Sequence, residues 1–369
     1  MIPERALARV RLESIRRNCE HLRLQLADGA QLCAVVKAGG YGHGAAECAR
    51  AAQDGGATWL AVATAAEAAE LRREAIEGRV LVMGALTAGE ARTAVDADAD
   101  LTVWDSRFLD ALPTGGAHRP RVHVKLDTGM GRLGTKHPEE ARALVERADS
   151  IAGVELAGVM THFATADELG DAYFPAQLER FRAFLGELGD RAGDLVVHAA
   201  NSAATFRDRA CHFDMVRCGV AVYGLDPFQL DPRQRGLEPA LALESYVAAV
   251  KRFAPGETAG YGRRWTAAEP TFLATIPIGY GDGWRRALTN DCDVLVRGRR
   301  RALVGTVSMD NVMIELGPDT DVEPGDPAVL IGAQGDERIL CEEVAARLDT
   351  INYEVVCGLG ARVVRRHER

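Results

Sequence analysis

Short apolar runs alternate with amphipathic stretches over the first two thirds of the chain, and the alternation predicts a fold. Strand-like runs fall at Gln31–Val36, Trp59–Val62, Val80–Met83, Leu101–Trp104, Arg121–Leu126, Leu156–Met160, Leu195–His198 and Met215–Cys218. Between them, apolar positions recur at helical spacing in Ala45–Ala52, Ala65–Glu74, Pro138–Arg147 and Gln177–Leu188, so the repeating unit is strand then helix. Parallel strands need helical crossovers, and roughly 200 to 250 residues suit closure of eight such units. The expected architecture is therefore an α/β fold with an N-terminal (β/α)8 TIM-type barrel, preceded by a helix at Glu13–Leu26 lying outside it.

After about Leu225 the pattern changes. Pro227, Asp231, Pro232 and Gly236 mark a connection, and β-rich runs follow at Tyr246–Val250, Phe272–Ile276, Val294–Val296, Ala302–Val304, Val312–Ile314 and Ala328–Ile331. Glycines punctuate these runs at short spacing, with one good helix candidate, Cys341–Leu348, among them. A C-terminal, mostly β domain is expected, with the barrel over residues 1–235 and the β domain over 236–369.

Composition narrows the function classes. With 369 residues, 47% hydrophobic and 26% charged, the chain reads as a soluble globular protein of two domains. A net charge of −9 leaves no positive field for a nucleic-acid backbone or an anionic membrane, so neither is expected as a partner. The eight cysteines are scattered without a Cys-x-x-Cys pair, which reads as a reduced, cytoplasmic protein, and no metal site is expected. No apolar run approaches the ~20 residues that cross a bilayer. The opening residues are charged (Glu4, Arg5, Arg9, Arg11, Glu13), unlike an export signal.

The first chemical signal is AVVKAGGYGHG, Ala34 to Gly44, in which Lys37 ends an apolar strand and enters a glycine-rich loop at the expected barrel mouth. A partly desolvated amine there becomes a nucleophile able to form a Schiff base with an aldehyde cofactor. A lysine at a strand end is by itself most often a solvated charge. Clustered glycines change the picture, because they let backbone approach a ligand closely where an ordinary turn needs only one or two.

That stretch resembles the cofactor-lysine motif of the alanine racemase family, and further segments resemble family motifs in the family's order: KLDTGMGRLG at 125–134, THFATAD at 161–167, HAANSAAT at 198–205, MVRCGVAVYG at 215–224, IPIGYGDGW at 276–284 and INYEVVC at 351–357. The resemblance implies a barrel plus β domain, a homodimer with shared active sites, and covalently bound pyridoxal 5'-phosphate. It implies that Lys37 carries the cofactor, that Tyr41 joins its site, and that Asn201, Ser202, Gly219, Val220 and Tyr353 serve its phosphate. The loops after the seventh and eighth barrel strands are where barrels commonly bind phosphate, and a hydroxyl followed by backbone N–H groups is a suitable donor set. Ser202 also reads as a helix N-cap, a role compatible with the first.

By the same resemblance Arg217 faces the pyridine nitrogen, with His162 in support. A guanidinium does not readily yield a proton, so the ring nitrogen stays unprotonated and the cofactor remains a weaker electron sink, which suits proton return over transamination. Taken alone, Arg217 could be a buried strand arginine satisfied by carbonyls, and His162 a structural histidine. Racemisation needs a proton carrier on each face of the carbanion. Lys37 serves one, and Tyr261, in AGYGRRW, matches the family's second base; aromatic residues in β domains are otherwise usually core. A tyrosine ordinarily titrates at about 10, so the site must stabilise phenolate or couple it to His162 and Arg217.

The resemblance places Tyr261, Met309 and Asp310 at the barrel mouth of the partner subunit, with Arg132 and Met309 touching substrate. Arg132 would orient the cofactor's phenolic oxygen and the substrate carboxylate, and Lys125 matches a lysine carbamylated in some members, although both also read as surface charges. Tyr280 and Tyr353 would narrow the entrance for a small side chain. Gly39 stands where the family usually has Asn, Thr306 where Arg is frequent and Ser308 where Cys is common. The implied activity is interconversion of L- and D-alanine, supplying D-alanine for peptidoglycan. Serine or a broader set of small amino acids, a decarboxylase on the same plan and a noncatalytic cofactor-binding protein are the alternatives; Arg217 argues against the second and the Tyr261-bearing domain against the third.

Overall fold

The apolar runs of the first region close on themselves. In the computed structural model, which describes residues 4–368, eight parallel strands pair in chain order: Gln31–Val35, Trp59–Val62, Arg79–Val82, Ala99–Val103, Arg121–Lys125, Glu155–Met160, Val196–His198 and Met215–Cys218. The last pairs with the first, Arg217 standing opposite Cys33. These strands are buried along nearly their whole length because their inner faces fill the barrel and their outer faces are covered. Hence a run such as Trp59–Val62 is apolar without alternation. The crossovers include Ala45–Asp54, Ala65–Arg73, Ala88–Asp96, Pro138–Ser150 and Tyr173–Leu188. Two of these helices open with reciprocal caps, Thr64 with Glu67 and Thr87 with Glu90, which satisfy amide groups that the first turn leaves without helical acceptors.

The chain divides into two compact units, Ile15–Val222 and a second made of the residues up to Ser14 together with those from Tyr223 onward. The expected barrel domain of 1–235 therefore loses both ends. The reason is Leu7–Arg11, which pairs antiparallel with Leu241–Tyr246 and parallel with Val364–Glu368. Arg9 fixes that three-strand seam by ion pairs to Glu244 and Glu368. The large sheet of this unit runs in the order Ala249–Phe253, Thr271–Ile276, Val312–Gly317, Arg299–Val304, Asp293–Val296, Pro327–Gln334, Leu241–Tyr246, Leu7–Arg11 and Val364–Glu368.

The expected strand Tyr246–Val250 is a corner instead. Leu241–Tyr246 ends where the Val247 amide donates to Asp326, and the next amide, Ala248, donates to Thr275, so the chain changes neighbours there and resumes as Ala249–Phe253. Thr258–Ala259 and Trp265–Thr266 form a separate small hairpin, seated on Leu273, Val304 and Phe253. Among the described residues no helix is long and apolar enough to cross a membrane.

Candidate active site

In the barrel unit the polar side chains singled out by sequence gather at the C-terminal ends of the strands. Lys37 follows the first strand after Val36 and is half-buried. The glycine-rich loop after it is a tight left-handed turn: Ala38, Gly39, Gly40 and Tyr41 have φ of 53°, 61°, 63° and 52°. Glycine occupies this region most readily, which explains Gly39 and Gly40, while Ala38 and Tyr41 adopt it with a β-carbon. The Ala38 amide is held by the Glu67 carboxylate at 2.7 Å, so the turn is tied to a neighbouring helix.

Lys125 ends the fifth strand and is 3% exposed, which removes the surface-charge reading for it, while Arg132 is exposed. Burial, reinforced by Arg217 and Arg132, brings the Lys125 amine down to about 8. Asp127 organises the intervening loop by accepting the Gly129 and Gly131 amides. His162, after the sixth strand, is pushed well below its usual range by burial and then by Arg217, Lys125, Arg132 and Lys37. Four cationic side chains thus act on one imidazole. Such a cluster suits a ligand carrying several negative charges.

After the seventh strand Asn201, not Ser202, is the N-cap: its side chain accepts the Ala204 amide at 2.9 Å. Ser202 is thereby left for another task. Its Oγ accepts the Gly219 amide at 2.9 Å and the Ala221 amide at 3.4 Å, so the Gly219 amide is not the open donor expected from sequence, and the hydroxyl proton of Ser202 points elsewhere. Gly219 and Val220 are buried beside it, and a β-carbon at Gly219 would collide with the Tyr41 hydroxyl.

Arg217 on the eighth strand is 3% exposed. Its Nη2 donates to the carbonyls of Thr161 (2.9 Å) and Ala199 (3.0 Å) and lies 3.3 Å from His162 Nδ1, while Nη1 is 2.8 Å from His198 Nδ1. Burial lowers this guanidinium to about 10, so it stays charged at neutral pH. Its Nε is buried without a hydrogen-bond partner. A buried donor in that state calls for an acceptor that the protein itself does not provide. His198, Thr161 and the interior residues behind them were missed by sequence reasoning. The available signal was a histidine in each of the strands RVHVK and VVH.

The β unit holds the rest. Tyr261 stands at the tip of the small hairpin, 74% exposed, with its carbonyl accepting the Thr306 hydroxyl at 2.7 Å. The core reading of this tyrosine therefore fails. Tyr280 and Met309 are also exposed, and their segments are stitched together by the Tyr280 amide to Ser308 and the Gly281 amide to Met309. Arg362 ties Asp310 (2.5 Å) to the fully buried Asp282 (3.2 Å). Tyr353 lies on the short helix Asn352–Cys357.

Comparison with known proteins also divides the chain in two. Residues 10–227 match the family model described as alanine racemase, N-terminal domain, and residues 240–367 match alanine racemase, C-terminal domain. The chain is 42% identical over 363 residues to an alanine racemase of Symbiobacterium thermophilum, covering 97% of this chain and 96% of that one. It is 41% identical over 364 residues to alanine racemase 1 of Bacillus subtilis, covering 97% and 92% respectively. Among solved structures, alanine racemase from E. faecalis superposes with a TM-score of 0.92 at 38% identity over 99% of this chain and 98% of that one. The Bacillus anthracis alanine racemase with bound L-Ala-P gives 0.91 at 37% identity, covering 99% and 95%.

Proposed function

The chain belongs to the alanine racemase family, and from that premise we propose that it interconverts L- and D-alanine by two-base proton transfer with pyridoxal 5'-phosphate as cofactor. The residues present fit that group. Arg217 Nε is a buried cationic donor lacking an acceptor, Ser202 keeps a hydroxyl proton beside the buried Gly219 and Val220, and the surrounding charge favours an anion. The orphaned Nε of Arg217 is the observation that carries the reading, because a ring nitrogen is the acceptor it lacks.

When bound, the cofactor withdraws electrons from the substrate's α-carbon and so acidifies its C–H bond. Lys37 would hold it covalently through Nζ, with Tyr41, Asn201, Ser202, Gly219, Val220 and Tyr353 serving the phosphate. Arg217, charged and buried, would face the ring nitrogen as a donor that does not readily yield its proton, an arrangement that would favour return of the proton to carbon. Lys37 Nζ takes or gives the proton on one face. Tyr261 Oη serves the other, offered by a second copy of the chain in a homodimer with shared sites; its exposure beside Thr306 supports that role. Arg132 and Met309 would contact substrate, and Tyr280, Asp310 and Lys125 would support them. Arg217 in place of an acidic partner disfavours decarboxylation.

In the cell the product would feed peptidoglycan synthesis. Free cysteine thiols, buried except for Cys357, support a reducing, cytoplasmic setting. The test is incubation with L-alanine in deuterated water: deuterium should enter the α-position as optical rotation decays to zero. Release of carbon dioxide, or decay without exchange, contradicts the reading.

A further inference from the structure

Behind Arg217 a line of hydrogen bonds runs through the barrel interior. Arg217 Nη1 is 2.8 Å from His198 Nδ1, His198 Nε2 is 2.8 Å from His123 Nδ1, and His123 Nε2 is 3.0 Å from Asp100 Oδ2. Asp100 is held in turn by Arg121 (Nε to Oδ1, 2.8 Å) and by Arg79. Asp100, His123 and His198 are fully buried. The line is also sterically fixed. A β-carbon at Gly158 would stand 2.3 Å from His123 Nδ1, and Gly158 is not among the positive-φ glycines, so space rather than backbone conformation requires glycine there.

The two ends dictate every proton between them. A guanidinium only donates and a carboxylate only accepts. His198 Nδ1 must therefore be bare to receive Arg217, which puts the His198 proton on Nε2. His123 Nδ1 must accept that proton's bond, which puts the His123 proton on Nε2, facing Asp100. One assignment satisfies all the bonds, with both rings neutral; a second proton on either ring would set N–H against N–H. Burial, followed by Arg217, pushes His198 well below its usual range, in agreement with a neutral ring. Burial alone would favour neutral Asp100, but the bonds from His123 and Arg79 outweigh it and bring the carboxyl to about 2.

We propose that Asp100, His123 and His198 are positioning residues for Arg217: a one-way line of hydrogen bonds that fixes the guanidinium and passes it part of the carboxylate's negative charge. The consequence rests on the reading above, in which Arg217 faces the cofactor ring nitrogen. A guanidinium so supplied is a weaker acid toward that nitrogen, and the side reaction it restrains is transamination. There the amino group of alanine stays on the cofactor as pyridoxamine phosphate, water supplies the carbonyl oxygen, and the carbon skeleton leaves as pyruvate.

The first test is nitrogen NMR of the holoenzyme labelled at histidine, the two rings assigned by their loss in His123→Phe and His198→Gln. Both should be neutral Nε2–H tautomers; an Nδ1–H or cationic form of either overturns the proposal. The second compares pyruvate released per racemisation event in the parent and in His123→Phe, which keeps the ring and removes both bonds. The ratio should rise about tenfold, the factor given by one unit of added acidity in the Arg217 donor. Should His123→Phe fail to fold, Asp100→Asn removes the charge and keeps the shape, with the same rise expected. An unchanged ratio in a folded variant overturns the proposal. Failure of the function reading is separate: it appears as a parent enzyme that does not racemise alanine, whereas the tautomers are read without turnover.

Discussion

A β-carbon built on Gly219 would stand 2.3 Å from the Tyr41 hydroxyl oxygen and 2.8 Å from the ring carbon that bears it. The left-handed turn after the first barrel strand and the loop after the eighth are thus in contact, and the contact admits no side chain. Gly219→Ala should weaken cofactor binding about tenfold, in line with an overpacking cost of ~1–3 kcal/mol. Absorbance titration with pyridoxal phosphate measures it, and Gly219→Ala combined with Tyr41→Phe should recover part of the loss.

Gly39 has φ of 61° with nothing within 4 Å of a β-carbon, so backbone conformation alone decides what can replace it. Asn tolerates that region and β-branched residues do not. Gly39→Asn should leave the thermal midpoint and the cofactor absorbance nearly unchanged, and Gly39→Val should destabilise by roughly 1–2 kcal/mol. A Val variant as stable as the parent contradicts the turn described.

Lys125, brought down to about 8 mainly by its burial, loses its proton as pH rises through that value rather than near 10.5. Uncharged amine, the form that reacts with carbon dioxide, is therefore present close to neutral pH. With labelled bicarbonate, a carbamate signal should appear in carbon NMR, grow from below to above about pH 8, and vanish in Lys125→Ala. A signal that persists in that variant removes Lys125 as the site.

In the β unit, fully buried Asp282 accepts from Arg5 and Arg362 and from the Gly279 amide at 2.9 Å. The arginines keep partial contact with water, which moderates the cost of removing their partner. Asp282→Asn should lower stability by about 2 kcal/mol, a charged hydrogen bond being worth ~1.5–3 kcal/mol. Denaturant titration checks it, and an unchanged midpoint contradicts the bridging role.

The barrel was legible because its strands are buried on both faces. Runs such as Trp59–Val62 and Met215–Cys218 are continuous in sequence, and their observed bounds agree with the expected ones. The N-terminal strand Leu7–Arg11 was not legible, since both of its partners lie more than two hundred residues away and five residues of mixed polarity carry no local signal. Tyr246–Val250 failed for a related reason: its apolar pattern is continuous across a corner that only tertiary hydrogen bonding reveals. At the site, Lys37 and Arg217 stood out through motif context. Ser202 was misread as a cap because neighbouring Asn201 competes for the same task, and His123 and His198 were not singled out because the bond between them joins strands far apart in sequence. Charge partners within a barrel are set by strand register, which no local pattern encodes.

On the proposed function, the amine of Lys37 and the phenol of Tyr261 serve opposite faces of one substrate and come from separate chains. Lys37→Ala and Tyr261→Phe chains, each inactive alone and carrying different tags, can be unfolded together, refolded with cofactor and assayed for alanine racemisation. Hybrid dimers with activity well above either parent are the predicted result, because one of their two sites would have both groups intact. Hybrids isolated by both tags and found inactive would contradict the account.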